Sequence, residues 1–173
     1  MGNTRARGDL DGGPAERDGA PREEPVTRVL VAEDVDDVRD TLVALLGLED
    51  DLDVVAELAS GDQIVPAALR HRPDVAVIDI DLPHVDGLTA AAELRRRLPA
   101  CRTLILTGLA RPGNLDDAVA AGASAFLTKD GPADGLIDAV RRVARGEQLI
   151  GPPHPEPEQP RPDGRGGRGQ DGP

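Results

Sequence analysis

Between residues 26 and 150 the apolar positions follow two alternating rhythms. Short runs of aliphatic, often β-branched residues alternate with longer stretches whose apolar positions lie three and four apart. RVLVA (28–32) is the first short run and stops at acidic residues. DVRDTLVALLGL (37–48) follows, with Val38, Leu42, Leu45 and Leu46 at helical spacing and Gly47 marking its end. LDVVAEL (52–58) predicts a strand. SGDQIVPAALRH (60–71) predicts a helix opened by a Ser60–Gln63 capping box, its start delayed by Pro66. DVAVID (74–79) is a strand apolar on both faces, and GLTAAAELRRRL (87–98) is a helix with Arg95, Arg96 and Arg97 at its negative end. RTLILT (102–107) is a strand, GNLDDAVAAG (113–122) a helix closed by glycine, SAFLT (124–128) a strand, and ADGLIDAVRRVARG (133–146) a helix. Five strand–helix units with doubly apolar strands predict the α/β class: a five-stranded parallel sheet, doubly wound, with helices on both faces.

The pattern vanishes at both ends. Residues 1–25 hold five Gly, three Pro and ten charged side chains with one Leu, and residues 151–173 hold 13 Gly or Pro in 23 positions. Neither segment can bury enough apolar surface to offset its ordering entropy. Both are expected to be disordered tails around a folded unit at 26–150.

A formal net charge of −12 argues against a surface built to displace counterions from nucleic acid, and against adhesion to anionic lipid. Cys101 is alone, so no intrachain disulfide forms, and a small buried structural role suits it. No apolar run approaches the ~20 residues of a membrane span, and MGNTRARGDLDGG lacks the apolar core of a secretory signal. A cytoplasmic protein without membrane contact is expected. His71 and His154 lack partners at zinc-ligand spacing.

Parallel sheets bind ligands beyond the carboxyl ends of their strands. The first strand ends at Glu33 and Asp34, the third at Asp79, the fourth at Thr107 and the fifth at Lys129, the one lysine beside 19 arginines. Carboxylates crowded on one rim repel, and a hard divalent cation removes the conflict. Mg2+ on Glu33 and Asp34 would face a phosphoryl group, Asp79 can attack it to form an acyl phosphate, and Lys129 offers a compact point charge to an oxygen. This requires the five side chains to meet around one ion, with the acids open to solvent.

VAED after the first strand, DVAVIDIDLPHVDG, LILTG and AGASAFLTKD, in this order over residues 27–150, resemble the receiver domain of bacterial two-component response regulators. The resemblance implies a flavodoxin-like receiver fold with strand order 2-1-3-4-5. It implies that Asp79 accepts phosphate from a sensor histidine kinase, and that Glu33, Asp34 and Asp79 hold Mg2+ with help from the Asp81 backbone carbonyl. Thr107 would be the switch hydroxyl, and Phe126, the lone aromatic, the switch aromatic; simple core filling is the alternative for Phe126. The end of the unit is similar to the LuxR/NarL-type branch of transcription regulators, which carry a C-terminal helix-turn-helix. The tail 151–173 cannot supply those helices. No direct DNA binding by this chain is therefore expected, and output would pass through a partner or a homodimer. Natural truncation and an out-of-frame reading are the two explanations offered; translating the flanking DNA in all frames separates them.

The Asp81 side chain is either purely structural or affects hydrolysis of the phosphoryl group or shares the cation. Pro83 and Gly87 read as turn chemistry, and His84 as an exposed loop residue. Gly108 is either a turn residue or a means of keeping the site open. DID (79–81) imitates the nucleophile-plus-acid pair of haloacid dehalogenase-like phosphatases, although that pair normally follows the first strand. A phosphorylation-independent scaffold is a third reading. A P-loop is excluded because no glycine precedes Lys129, and a dinucleotide site because VAEDVDD stands where glycines are needed. The receiver reading makes the chain a self-phosphorylating switch rather than a turnover enzyme.

Overall fold

The computed structural model describes residues 25–150. Five strands, β1 (Thr27–Ala32), β2 (Leu52–Leu58), β3 (Val75–Asp79), β4 (Arg102–Thr107) and β5 (Ala125–Thr128), form one sheet in the order β2-β1-β3-β4-β5. All pairings are parallel. The connecting helices are α1 (Asp36–Gly47), α2 (Ile64–His71), α3 (Gly87–Arg97), α4 (Asn114–Ala120) and α5 (Ala133–Ala144). Class, connectivity and strand order agree with expectation. The tails expected to be disordered lie, apart from Pro25, outside the described residues.

Side chains alternate across a strand, and here each face finds its own helices. Val29, Val31, Val75, Val77, Leu104 and Leu106 pack with Leu42 and Leu46 of α1 and Leu136, Ile137, Val140 and Val143 of α5. Leu30, Ala32, Ala76, Ile78 and Ile105 pack with Ile64, Val65 and Ala68 of α2, Ala90, Ala91 and Leu94 of α3, and Ala118 of α4. The alanines let α3 lie close to the sheet. Among the described residues no helix is long and apolar enough to cross a membrane.

The segment 60–71 corrects the expected single helix. It is a 3-10 turn at Gly61–Gln63 followed by α2, and the Ser60 side chain makes no capping hydrogen bond, so the capping box does not form. Pro66 falls in the first turn of α2, where its missing N–H costs no helical bond. Two helices end in the same way. Gly122 after α4 and Gly146 after α5 take φ of +77° and +90°. The following amides, Ala123 and Glu147, then bond back to Ala118 and Arg142 carbonyls, the Schellman arrangement that glycine permits. These glycines end the helices a residue or two before the sequence pattern suggested.

Candidate functional site

The carboxyl ends of β1, β3 and β5 converge. Glu33 follows β1, Asp79 closes β3 and Lys129 follows β5. Strand alternation places Glu33, Asp79 and Lys129 in phase with Val31, Val77 and Leu127, toward the α1–α5 side. Lys129 is drawn into place by its backbone N–H, which donates to the Thr107 carbonyl at 2.8 Å. Its Nζ lies 2.5 Å from Glu33 Oε2 and 3.2 Å from Asp79 Oδ1. The ammonium therefore bridges two acids contributed by different strands.

Glu33 is 0 % exposed and Asp79 3 %, whereas Asp34 is exposed. The expectation that the acids stay open to solvent is thus met by Asp34 alone. The other two are the acids paired with Lys129, whose side chain is itself 21 % exposed. Burial pushes the Glu33 carboxyl up from its usual range despite hydrogen bonds from Lys129 and the Val35 amide. Burial does the same to Asp79, outweighing the Lys129 charge, with Asp81 and Asp34 adding repulsion. For Lys129, burial acts to lower the pKa, but the Glu33 hydrogen bond and the charges of Asp79 and Glu33 together raise it. All three shifts describe acids and an ammonium held in a poorly solvated corner.

Glu33, Asp34 and Asp79 each offer a carboxylate oxygen, and these oxygens lie within 4.8 Å of one another. Glu33 Oε2 and Asp79 Oδ1 are buried, and among the described residues the Lys129 ammonium is the one group paired with either oxygen. One ammonium cannot balance these two carboxylates together with Asp34, and the uncompensated negative charge invites a further cation. Few carboxylates, with a solvent-facing side for water, suit Mg2+. Among the described residues no N–H donates to the Asp81 carbonyl, and the Asp81 side chain is exposed. The residues present therefore fit the ion. The groove of about 610 Å³ between α1 and α5 touches Lys129 but is lined mainly by Val38, Leu42, Leu45, Leu127 and Leu136, and not by the three acids. It is a separate apolar feature.

Thr107 is in phase with Ile105, on the opposite side of the sheet plane from Leu106. Its hydroxyl is 1 % exposed with its residue and donates to the Leu109 carbonyl at 2.9 Å. It belongs to the same rim but is engaged with its own loop. Phe126 pairs in register with Ile105 and is half-buried against the α2–α3–α4 core, on the same face as Thr107. Gly108 is exposed, and a Cβ there would meet only the Lys129 stem, at 3.9 Å. His84 is exposed as expected, with a left-handed φ of +68°.

Two contributors escaped the sequence reading. Gly87, taken as turn chemistry, opens α3 against the end of β3: a Cβ there would stand 1.9 Å from the Asp79 carbonyl oxygen. Asp86 caps the same helix, accepting from the Thr89 N–H at 2.9 Å. A D-G-x-T stretch before an alanine-rich run is the signal that could have revealed the cap.

Residues 29–141 match the family described as response regulator receiver domain. The chain is 38 % identical over 124 residues to the transcriptional regulatory protein DesR of Bacillus subtilis (72 % of this chain, 61 % of that protein). It is 38 % identical over 125 residues to the DNA-binding transcriptional activator DevR/DosR of Mycobacterium tuberculosis (72 % of this chain, 58 % of that protein). Among solved structures, the signal receiver domain of NarL from Mycobacterium tuberculosis superposes with a TM-score of 0.69 at 31 % identity, covering 72 % of this chain and all of that one. The chain thus spans about 60 % of the length of the curated relatives it matches.

Proposed function

Because the chain belongs to the response regulator receiver domain family, we propose that it is the phosphoacceptor of a two-component relay, taking a phosphoryl group from a sensor histidine kinase onto Asp79 in a Mg2+-dependent step. The observation that carries this reading is the bridge of Lys129 between the buried oxygens Glu33 Oε2 and Asp79 Oδ1, with the exposed Asp34 carboxylate close to both acids. Glu33, Asp34 and Asp79 would hold the ion, with the Asp81 backbone carbonyl as a further oxygen. Bound there, Mg2+ supplies charge neutralisation for the phosphoryl oxygens.

The Asp79 carboxylate attacks phosphorus. A bond from Asp79 oxygen to phosphorus forms as the donor's bond to phosphorus breaks, and the electron pair leaves with the donor. Lys129 would turn its ammonium from the two acids to a phosphoryl oxygen. Thr107 then exchanges its bond to Leu109 for one to the phosphoryl group. That movement vacates space on the face it shares with Phe126, whose ring follows. The surface of α4, β5 and α5 is the bistable element biased by this local charge.

The chain acts on this reading as a switch that catalyses its own modification, not as a turnover enzyme, and its output passes through a partner protein or a homodimer. No observation favours the haloacid dehalogenase-like alternative. Acetyl phosphate with Mg2+ should add one phosphoryl mass to the wild type and none to Asp79→Ala. Labelling that persists in Asp79→Ala, or a wild type that stays unlabelled, refutes the assignment.

A further inference from the structure

We propose that Arg39 is a positioning residue for the Mg2+ site, fixing the Glu33–Asp34 peptide while withdrawing Asp36 from the ion; this rests on the function proposed above. Arg39 lies in the first turns of α1, where the helix dipole disfavours a cation. Its side chain is nevertheless only 17 % exposed and makes two hydrogen bonds. Nη1 donates to the Glu33 carbonyl at 2.9 Å, and Nη2 donates to Asp36 Oδ1 at 2.6 Å. A planar guanidinium can span two such acceptors, whereas an ammonium offers one compact point of charge.

The consequence lies in the backbone. The Glu33 carbonyl belongs to the peptide plane that also carries the Asp34 nitrogen and Cα, so holding that oxygen fixes the bond from which the Asp34 side chain departs and leaves its direction to the one dihedral φ. The same short loop is held at two more points: the Glu33 N–H donates to the Leu58 carbonyl at 2.9 Å, and the Val35 N–H donates to Glu33 Oε1 at 3.2 Å. Of these three restraints, the Arg39 contact is the one that grips the carbonyl between the two acids. Arg39 also sorts the acids. Glu33, Asp34, Asp36 and Asp37 follow in close succession, yet the cluster with converging oxygens contains only the first two, with Asp79. The ion pair with Arg39 holds Asp36 aside.

Charge and geometry make opposite predictions for this residue. A guanidinium acting only as a nearby positive charge would repel the ion, and its removal would tighten Mg2+ binding. A positioning residue gives the reverse. The full-length Arg39→Gln/Asp36→Asn double variant keeps the wild-type net charge, so it isolates geometry. Titration with MgCl2, followed by the amide resonances of Asp34 and Val35, should show Kd raised about tenfold, the low end for residues supporting a ligand from behind. Arg39→Lys should fall between wild type and the double variant. At saturating Mg2+ the labelling rate with acetyl phosphate should return close to the wild-type rate, because the defect lies in holding the ion. An unchanged or lowered Kd in the double variant, while wild type binds Mg2+, overturns the role of Arg39 alone. A wild type that binds no Mg2+ overturns the proposed function and this inference with it.

Discussion

Gly87 stands so close to Asp79 that a single added carbon would meet the Asp79 carbonyl oxygen at 1.9 Å and its carbonyl carbon at 2.8 Å. The first residue of α3 is thereby packed directly onto the backbone of the proposed phosphoacceptor. Gly87→Ala must push β3 and α3 apart, at about 1–3 kcal/mol for overpacking. The expected outcome is a lower denaturation midpoint together with slower acetyl phosphate labelling. Wild-type stability and rate in this variant would show that the contact relaxes freely and does not set the Asp79 position.

Lys129 pairs with two buried acids and is proposed to serve the phosphoryl group. Lys129→Met should therefore separate two properties. Mg2+ affinity is not weakened, because a competing cation has gone from beside Glu33 and Asp79. The labelling rate falls about 10²-fold, the scale for losing one electrostatic donor in a transition state. Lys129→Arg should not restore the rate, since the guanidinium fork does not reproduce a point charge in this space. Parallel MgCl2 titration and mass spectrometric time courses check both halves. Equal losses in both would mean that Lys129 only supports the fold.

Far from the site, Arg141 of α5 clamps the α1–β2 connection, with Nε and Nη2 donating to Asp51 at 2.8 and 2.7 Å and Nη2 donating to Glu49 at 2.6 Å. The Arg141 hydrogen bonds hold the Asp51 carboxyl below its usual range. A depressed carboxylate contributes stability above its unfolded pKa of roughly 3.9 and loses it as pH falls through the folded value. Arg141→Gln should be less stable than wild type at pH 7, and the gap should close as pH drops below about 4. The side chains of the pair are 35 % and 37 % exposed, so solvent screens the interaction, and the gap is small and shrinks in high salt. Urea unfolding at both pH values checks this, and a gap that stays constant with pH would rule out the Asp51 link.

Cys101 lies in the core beneath α3 and β4, and burial, with Asp74 adding repulsion, pushes its thiol up to about 12. The thiolate is the reactive form. At pH 8 a thiol reagent should leave the native protein unmodified and react fully once it is unfolded. Rapid modification of the native state would contradict the packing around α3.

The sheet and the acids at its rim were legible because both are local patterns. An apolar run ending in Glu33–Asp34, Asp79 or Lys129 marks a strand and its carboxyl end at once. What the pattern could not show is contact between distant segments. Arg39 reads as one more surface arginine until the Glu33 carbonyl is seen beside it. Gly87 reads as a turn residue until α3 is docked on β3, and the burial of Glu33 depends on where Lys129, 96 positions later, comes to rest. Ser60 failed the other way: its local capping signal is present, but the chain forms a 3-10 turn there, and Gly61 packs so tightly that a Cβ would lie 1.7 Å from the Val85 carbonyl oxygen.

On the proposed function, phosphate resides on the Asp79 side chain as an acyl phosphate. Borohydride reduction of the protein after treatment with acetyl phosphate and Mg2+, followed by peptide mass mapping, reads the position directly, because an acyl phosphate is reduced where a free carboxylate is not. The expected result is a reduced side chain at position 79, dependent on Mg2+ and confined to that site. Reduction at Glu33 or Asp34 instead, or at no carboxylate, would contradict it.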